Sequence, residues 1–380
     1  MGARWRRPVR RSRALSASDT PQPGGAPAPA GPVSGFSLAV DAMGGDAAPE
    51  MVVDGLAIAA ERHPEATFLL FGDQARVAPL LARHKRLAAA ELRHTTEAIG
   101  NDLKVAAAMR LRQASMRLAI NAVAAGEAAG VVSAGNTGAL LALSNFVIKP
   151  LPGIDRPALA AIGPSARGDF VMLDLGANVA CDLRNLVEFA VMGDVFARTV
   201  LGLTAPTIGL LNVGSEDMKG DAMLRDAAEA LRASHLAPQF HGFVEGDDIA
   251  AGTTDVVVTD GFTGNVALKT AEGAMRLMGQ LLRQVFSASI ASKLAYLLAR
   301  PGLGRLREWL DPRRYNGAVM LGLNGVVVKS HGGTDAEGFA HAVDVAMDMV
   351  THGFNNGIRE GLARIGSLET RHGSADAAAP

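Results

Sequence analysis

The sequence contains very little cysteine and few aromatic residues, and it has no long hydrophobic segment. Cys181 is the only cysteine among 380 residues, which excludes disulfides within the chain and thiolate metal clusters. Aromatic residues make up 4% of the chain, which argues against a platform for stacking nucleic-acid bases. No apolar run approaches the roughly 20 residues that a membrane-spanning helix requires. We therefore expect a cytoplasmic protein that is not integral to the membrane, while attachment to a membrane surface stays open.

An excess of charge of either sign is absent as well. The formal net charge is −1 and the isoelectric point is near 6.8, so nothing in the overall balance points to nucleic acid. Hydrophobic residues make up 48% of the chain, which at this length is enough for a large buried core. We therefore expect a globular protein with no nucleic-acid partner.

Several motifs of common enzymes are also missing. The chain has no G-x-G-x-x-G dinucleotide fingerprint, no Walker lysine loop, no H-E-x-x-H and no G-x-S-x-G. Cys181 could act as a covalent nucleophile, but an inert buried thiol is the commoner role of a lone cysteine. We predict no metal site and no cofactor. What remains is chemistry in which two substrates react directly while the protein positions them.

Composition divides the chain into three parts. Residues 1–35 are rich in arginine, proline and alanine, and we expect this extension to be disordered because it has little to bury. Residues 36–365 alternate short β-branched runs with helical patterns and are expected to form a single domain, with a frayed tail at 366–380. This alternation predicts an α/β fold, a largely parallel sheet flanked by helices.

Small polar residues and glycines follow five of the predicted strands. Because ligands of open α/β sheets bind beyond the carboxyl ends of the strands, we expect these turns to assemble a single crevice. Free backbone N–H groups at the helix starts that follow could hold an anion such as phosphate. The turns are residues 41–49, 133–139, 174–178, 212–220 and 260–265.

The last of these turns is the most informative. The apolar run 256–258 predicts a buried strand, and a helical pattern resumes at Val266. Between them lie two glycines, a carboxylate, a hydroxyl and an amide, which is the composition of a ligand-binding turn. The same residues are also those of an ordinary helix cap, so both interpretations stand.

Residues 287–310 combine apolar and basic side chains. We predict an amphipathic helical protrusion, made of two short helices broken at Pro301-Gly302. Apolar and basic faces suit an anionic membrane surface or an acidic protein partner. Ordinary core or dimer packing is the alternative.

Seven motifs occur in a fixed order between residues 36 and 365. They read AVDAMGGDAAPE, VSAGNTGALLA, LPGIDRPA, LDLGANV, LLNVGSEDMKG, DVVVTDGFTGNVALKT and KSHGGTDAEGF. Together they resemble the bacterial phosphate acyltransferase family PlsX. The resemblance implies the fold of isopropylmalate dehydrogenases and phosphotransacetylases, and a homodimer without metal or nucleotide. It also implies a reaction of acyl-[acyl carrier protein] with inorganic phosphate, whose acyl phosphate product feeds a membrane glycerol-3-phosphate acyltransferase in phospholipid biosynthesis.

This reaction gives the polar residues of the turns candidate roles. Lys219 would bind phosphate or the developing oxyanion, and Asp260 would orient Lys219 or hold the phosphate. Asn265 would donate its amide to the oxyanion, and His331 would protonate the leaving thiolate. A solvated lysine, a helix cap and a structural histidine are the alternatives for Lys219, Asn265 and His331. The candidate substrate-binding residues are Asp41, Gly44, Gly45, Ser133, Asn136, Thr137, Asn178, Gly264 and Lys269.

Two other functions remain open at this stage. A phosphotransacetylase-like enzyme acting on acyl-CoA would use the same crevice, and only the donor would differ. A non-enzymatic, peripheral lipid-binding scaffold would use residues 287–310 and leave the crevice idle. A nicotinamide-dependent decarboxylating dehydrogenase is a rival by fold only, because the metal-binding carboxylate cluster it needs cannot be located in the sequence.

Overall fold

The structure is a computed structural model that describes residues 36–364. The predicted extension 1–35 and tail 366–380 lie outside the described residues.

Strands and helices alternate through most of this range. The strands are β1 (Ser37–Asp41), β2 (Thr67–Gly72), β3 (Glu91–His94), β4 (Gly130–Ser133), β5 (Ala158–Pro164), β6 (Asp169–Leu173), β7 (Ile208–Leu211), β8 (Phe240–Val244), β9 (Val256–Val258), β10 (Ala318–Leu321) and β11 (Val326–Lys329). The helices are α1 (Glu50–Arg62), α2 (Gln74–Leu81), α3 (Val105–Ala108), α4 (Ser115–Ala124), α5 (Thr137–Val147), α6 (Leu183–Leu201), α7 (Ala222–Ala233), α8 (Gly246–Ala251), α9 (Gly261–Ser287), α10 (Ile290–Trp309) and α11 (Ala336–Thr351). Residues 354–364 are also helical.

All eleven strands belong to one sheet, in the order β3-β2-β1-β4-β11-β10-β5-β6-β9-β7-β8. Most neighbours are parallel, as predicted. However, β10 is antiparallel to both β11 and β5, and β5 is antiparallel to β6. The strands β1, β4 and β11 therefore run in one direction, and β6, β9 and β7 run in the other. Their carboxyl ends lie at opposite edges of the sheet, so the expectation that five turns meet at one edge is wrong.

The reversal was missed because β5 was not recognised in the sequence. Its residues read ALAAIGP, and alanine, glycine and proline are poor strand formers on their own. The strand forms because its neighbours β10 and β6 supply the pairing and the burial.

Helices cover both faces of the sheet. Alternate strand residues point to opposite faces, so Leu38 and Val40 pack in a core with α1, α6, α7 and α11. Ala39, between them, packs in a second core with α4 and α5. A third cluster lies over β5, β6 and β9, and it includes Ala267 and Leu268 from α9. These cores fix the positions of the loops that carry the polar residues.

Two predicted helices differ from the structure. The spacing of apolar residues over 104–125 predicts one long helix, but the structure has two separate helices there, α3 and α4. Contacts with the preceding loop divide them, because the Gln113 carbonyl accepts from Thr95 Oγ1 and the Ser115 backbone N–H donates to the Glu97 carbonyl. The helix α1, in contrast, has the bounds that the sequence predicts.

The predicted break at Pro301 is also wrong, because α10 continues through it. Proline leaves the carbonyl four residues earlier without its N–H donor. That residue is Leu297, which is 58% exposed, so water can take the place of the missing donor. No helix in the described part of the chain is both long enough and apolar enough to cross a membrane.

Candidate active site

Polar loops lie at both edges of the sheet, and they are named here after the central strand of each group. The β4 edge consists of residues 42–49, 134–136 and 330–335, which follow β1, β4 and β11. The β9 edge consists of residues 174–182, 212–221 and 259–260, which follow β6, β7 and β9. Each group comes from three strands that are neighbours in the sheet.

A buried carboxylate holds the β4 edge together. Asp41 is 2% exposed, and its oxygens accept hydrogen bonds from Ser115 Oγ (2.6 Å), Ser133 Oγ (2.7 Å) and the Met43 backbone N–H (3.3 Å). Burial raises the pKa of Asp41, and the serine hydroxyls oppose this shift. Asp41 and Ser133, both expected to contact substrate, are engaged with each other and fix β1, β4 and α4 in place.

The glycine loop after β1 lies against the other loops of this edge. A Cβ atom at Gly44 would lie 2.5 Å from Asp41 Oδ2 and 2.7 Å from the Gly135 nitrogen. Gly45 has φ +115°, and a Cβ there would lie 2.9 Å from Met51 Cε. Glycine at both positions lets the backbone approach its neighbours in the protein closely.

Asn136 caps the helix α5. Its Oδ1 accepts from the Ala139 backbone N–H (2.9 Å), and its Nδ2 donates to the carbonyls of Asn101 (2.7 Å) and Leu103 (3.1 Å). The side chain is therefore occupied within the protein. What this turn offers a ligand is the exposed Thr137 side chain and the first two backbone N–H groups of α5, those of Thr137 and Gly138.

The sequence analysis missed Lys329 as a site residue. It ends β11 and is 9% exposed, and its Nζ donates to the carbonyls of Ala134 (3.4 Å) and Ser330. Burial lowers the pKa of Lys329 to about 8, Asp41 and Asp46 oppose the shift, and the charge of Lys269 adds to it. A lysine directly after the apolar run 326–328 was the available signal.

His331 is exposed beside this lysine. Its backbone N–H donates to Asn316 Oδ1 (2.8 Å), and its Nδ1 accepts from the Gly333 backbone N–H (3.1 Å). Because Nδ1 accepts, the neutral ring carries its proton on Nε2. The Nε2–H of His331 is therefore the ring group that can donate a hydrogen bond to a ligand.

A second buried carboxylate holds the β9 edge. Asp174 is fully buried, and its Oδ1 accepts from the backbone N–H groups of Leu159 (2.9 Å), Gly176 (3.2 Å) and Ala177 (3.0 Å). Its Oδ2 accepts from the backbone N–H (2.7 Å) and from Nδ2 (2.9 Å) of Asn178. Burial raises the pKa of Asp174, against these hydrogen bonds.

Asn178, expected to bind substrate, is a structural residue of this loop. Its Nδ2 also donates to the Pro157 carbonyl (2.8 Å), so both amide hydrogens are used. Its backbone carbonyl accepts from the Gly261 N–H (2.8 Å), which ties the loop after β6 to the start of α9.

The start of α9 presents Asn265 to solvent. Asp260 caps the helix, and its two oxygens accept from the backbone N–H (2.9 Å) and Oγ1 (2.6 Å) of Thr263. Asn265 is exposed one turn along, and a Cβ placed on Gly176 would lie 3.7 Å from its Cγ. The turn therefore caps the helix, and it also leaves the side-chain amide of Asn265 exposed beside Gly176.

Lys219 lies at the same edge, because β7 is the neighbour of β9. Its exposed Nζ is 3.3 Å from Glu216 Oε2, and its backbone carbonyl accepts from Asn212 Nδ2 (3.1 Å). The expected orientation of Lys219 by Asp260 is not found, since the Asp260 oxygens are engaged by Thr263.

The helix α9 connects the two edges. Lys269 lies four residues after Asn265, a rise of roughly 6 Å along the helix axis. It pairs with Glu272 (3.0 Å), and its charge is near enough to lower the pKa of Lys329 at the β4 edge. The structure therefore has two separate groups of polar loops where the sequence predicted a single crevice. Lys269 lies between these two groups.

Cys181 does not have the properties of a nucleophile. Burial, with Asp174 nearby, raises the pKa of its thiol to about 11, so the thiol is protonated at neutral pH. Among residues 36–364, no group of three or more His, Cys, Asp or Glu side chains is arranged to hold a metal ion.

The fold is that of the phosphotransacetylases. The chain superposes on a phosphotransacetylase from Streptococcus pyogenes with a TM-score of 0.56 at 18% identity, covering 83% of this chain and 94% of that one. A EutD phosphotransacetylase from Staphylococcus aureus gives 0.53 at 17% identity, with the same coverage.

The sequence then identifies the family. Residues 36–357 match the family model described as "Fatty acid synthesis protein". The phosphate acyltransferase of Acidiphilium cryptum is 70% identical over 355 residues, 93% of this chain and 92% of the relative. That of Granulibacter bethesdensis is 70% identical over 334 residues, 88% and 91% of the two chains. The chain belongs to the phosphate acyltransferase family PlsX, as its motifs indicated.

The contact between α9 and the loop after β6 can be tested by substitution. A Cβ at Gly264 would lie 1.9 Å from the Asp174 carbonyl oxygen, so we expect Gly264→Ala to lower the free energy of unfolding by roughly 3 kcal/mol or more. Gly273→Ala is the control on the same helix, where a Cβ meets nothing within 4 Å; it should stabilise by up to about 1 kcal/mol. Denaturant unfolding measures both, and equal stability of the two variants would contradict this contact.

Proposed function

We propose that this chain is an acyl-[acyl carrier protein]:phosphate acyltransferase of phospholipid biosynthesis. A phosphate oxygen attacks the thioester carbonyl, the carbon–sulfur bond breaks, and acyl phosphate and the carrier thiol are the products. The observation that carries the proposal is the 70% identity to a phosphate acyltransferase over more than nine-tenths of both chains. The buried loop anchors and exposed polar side chains at the sheet edges support it.

Asn265 and Lys219 are the residues proposed to act on the thioester. The tetrahedral intermediate carries a negative charge on the former carbonyl oxygen, which an amide N–H and an ammonium can stabilise. Asn265 is exposed in the first turn of α9, and Lys219 is exposed in the loop of the neighbouring strand. Asp260 and Gly264 give that turn its shape, the first by capping and the second by allowing close packing.

The phosphate is proposed to approach from the β4 edge and to react next to Lys269, which lies four residues from Asn265 on α9, because its attacking oxygen must come within roughly 3.5 Å of the thioester carbonyl. The exposed Thr137 at the start of α5 and the charge of Lys269 would guide it there. His331 in its imidazolium form is the proposed proton donor to the departing thiolate, which leaves the neutral ring after the transfer. Asn136, Ser133 and Asp41 contribute by holding these loops.

The function is tested by incubating the purified protein with labelled inorganic phosphate and an acyl donor. We expect labelled acyl phosphate from the acyl-[acyl carrier protein] thioester, at a rate well above that from acyl-CoA. Preference for acyl-CoA would favour the phosphotransacetylase-like alternative. Liposome binding without any phosphate-dependent loss of thioester would favour the lipid-binding scaffold.

The catalytic assignment has its own test. Lys219→Ala and Asn265→Ala should each lower the rate of acyl phosphate formation by at least roughly 10²-fold, because each removes a group proposed to stabilise the transition state. Lys85→Ala and Thr270→Ala remove exposed side chains elsewhere and should leave the rate unchanged. Circular dichroism checks that all four variants are folded. Near-normal turnover in both site variants would overturn the assignment.

An exposed apolar surface on α9 and α10 is the proposed contact with the membrane. We expect the protein to be a homodimer that attaches peripherally and passes its product to a membrane glycerol-3-phosphate acyltransferase. Residues 273–307 contain no acidic residue, which favours contact with anionic lipid. The exposed apolar side chains of this surface include Leu277, Met278, Val285, Ile290, Leu294, Leu297 and Leu298.

Liposome co-sedimentation tests this surface. Leu297→Glu places a carboxylate among the exposed apolar residues of α10 and should lower the fraction bound to anionic liposomes several-fold. Phe146→Glu is the control, because Phe146 is equally exposed but lies on α5. Light scattering shows whether either change alters the oligomeric state. Equal sedimentation of wild type and Leu297→Glu would contradict the proposed contact of this surface with the membrane.

A further inference from the structure

We propose that the ε-ammonium of Lys329 binds the phosphate group of a substrate at the β4 edge. The proposal rests on the function proposed above and adds to it a cation that the motif analysis did not assign. It also names the class of ligand, a phosphate group.

The first argument is that the Lys329 charge is buried without a counter-ion. The side chain is 9% exposed, and Nζ is held by two carbonyl oxygens, those of Ala134 and Ser330. Within residues 36–364, no carboxylate oxygen lies within the 4.0 Å of an ion pair from this nitrogen. A buried ammonium is costly unless it is paired, and carbonyl dipoles compensate only part of that cost. The ammonium of Lys329 is therefore a buried cation that a bound anion would stabilise.

The second argument is that the surroundings of Lys329 favour an anion. Lys329 is paired in register with Ser133, the last residue of β4, so its head group lies beside the turn into α5. The helices α5 and α11 both begin at this edge, so the positive ends of their dipoles lie here. Burial is the main reason that the pKa of Lys329 is lowered, and the charge of Lys269 on α9 lowers it further. A bound phosphate dianion would offset both effects.

The acidic groups that face Lys329 do not replace such a ligand. Both oxygens of Asp41 accept hydrogen bonds from serine hydroxyls, and Asp46 Oδ1 accepts from Asn101 Nδ2 (2.7 Å). These hydrogen bonds already engage both carboxylates with groups of neighbouring elements. His331 and Asp335 are the titratable side chains of the loop after β11. His331 Nδ1 accepts from the Gly333 N–H, and Asp335 caps α11 by accepting from the Gly338 N–H.

A phosphate group could come from two sources in the proposed reaction. One is inorganic phosphate, the nucleophile, and the other is the phosphodiester of the pantetheine arm on the carrier. Both present anionic oxygens that an ammonium and backbone N–H groups can bind. The kinetic experiment below distinguishes them.

The test compares Lys329→Met, Lys329→Arg and the control Lys85→Met, a change at an exposed lysine. We expect Lys329→Met to raise a KM by roughly tenfold or more while kcat changes less, and Lys329→Arg to restore most of the loss. A rise in the KM for phosphate identifies inorganic phosphate, and a rise in the KM for the acyl donor identifies the phosphodiester. Unchanged values of both in a folded Lys329→Met variant would overturn the proposal.

A measurement without the acyl donor separates this proposal from the proposed function. Calorimetric titration with inorganic phosphate, and in a second arm with 4′-phosphopantetheine, should show binding that Lys329→Met weakens and Lys85→Met does not. This holds even if no acyl phosphate is formed, in which case only the proposed function fails. Wild-type binding of neither compound, or binding that Lys329→Met leaves unchanged, would overturn the role of Lys329.

The pH dependence gives a readout that a merely structural lysine would not change, and it uses the wild-type protein. Lys329 carries its charge below a pKa of about 8 and loses it above. The affinity for phosphate should therefore fall as the pH rises from 7 to 9, and the Lys329→Arg variant, which stays charged, should show a smaller fall. Parallel pH profiles for the two proteins would contradict the proposal.

Discussion

The change of strand direction in the middle of the sheet determines where chemistry can occur in this protein. Since β10 and β5 separate two sets of parallel strands that run in opposite directions, the polar loops lie at two edges. A substrate that used both edges would have to cross the face of the sheet. The helix α9 provides that crossing, because it begins at the β9 edge and brings Lys269 within electrostatic reach of Lys329 at the β4 edge.

Each edge is held by a buried carboxylate. Asp41 joins three elements through two serine hydroxyls, and Asp174 collects five hydrogen bonds from its own loop and from β5. Burying a carboxylate is costly, and these hydrogen bonds offset the cost only when the loops have the observed shape. The carboxylates therefore make the loop geometry specific, and the exposed Asn265, Lys219 and His331 are presented from loops that cannot easily rearrange.

Sequence patterns predicted much of the fold because local apolar periodicity reflects burial. The helix α1 and the strand β9 have the predicted bounds. Elements that depend on distant contacts were not predicted. The strand β5 forms only through its two neighbours, the division of α3 from α4 depends on contacts with residues 95 and 97, and exposure lets α10 continue through Pro301.

In the candidate site, too, sequence patterns could not predict the properties of single residues that depend on distant contacts. Motif reasoning finds polar residues in the right loops, but it cannot separate those that face a ligand from those that hold the loop. Asn136 and Asn178 belong to the second group because their amides are engaged within the protein. Lys329 was overlooked because it reads as the end of an apolar strand, and only the structure shows that its charge is buried.

The length of α9 links the site to the exposed surface. Its first turn is buried at Gly261 and Gly264 against the loop after β6, and it runs for 27 residues, roughly 40 Å, to the contact with α10. There Phe286 and Tyr296 pack edge to face, with ring centroids 5.6 Å apart. On the proposed function, one element therefore both presents Asn265 to the thioester and carries the surface where an acyl product would meet lipid.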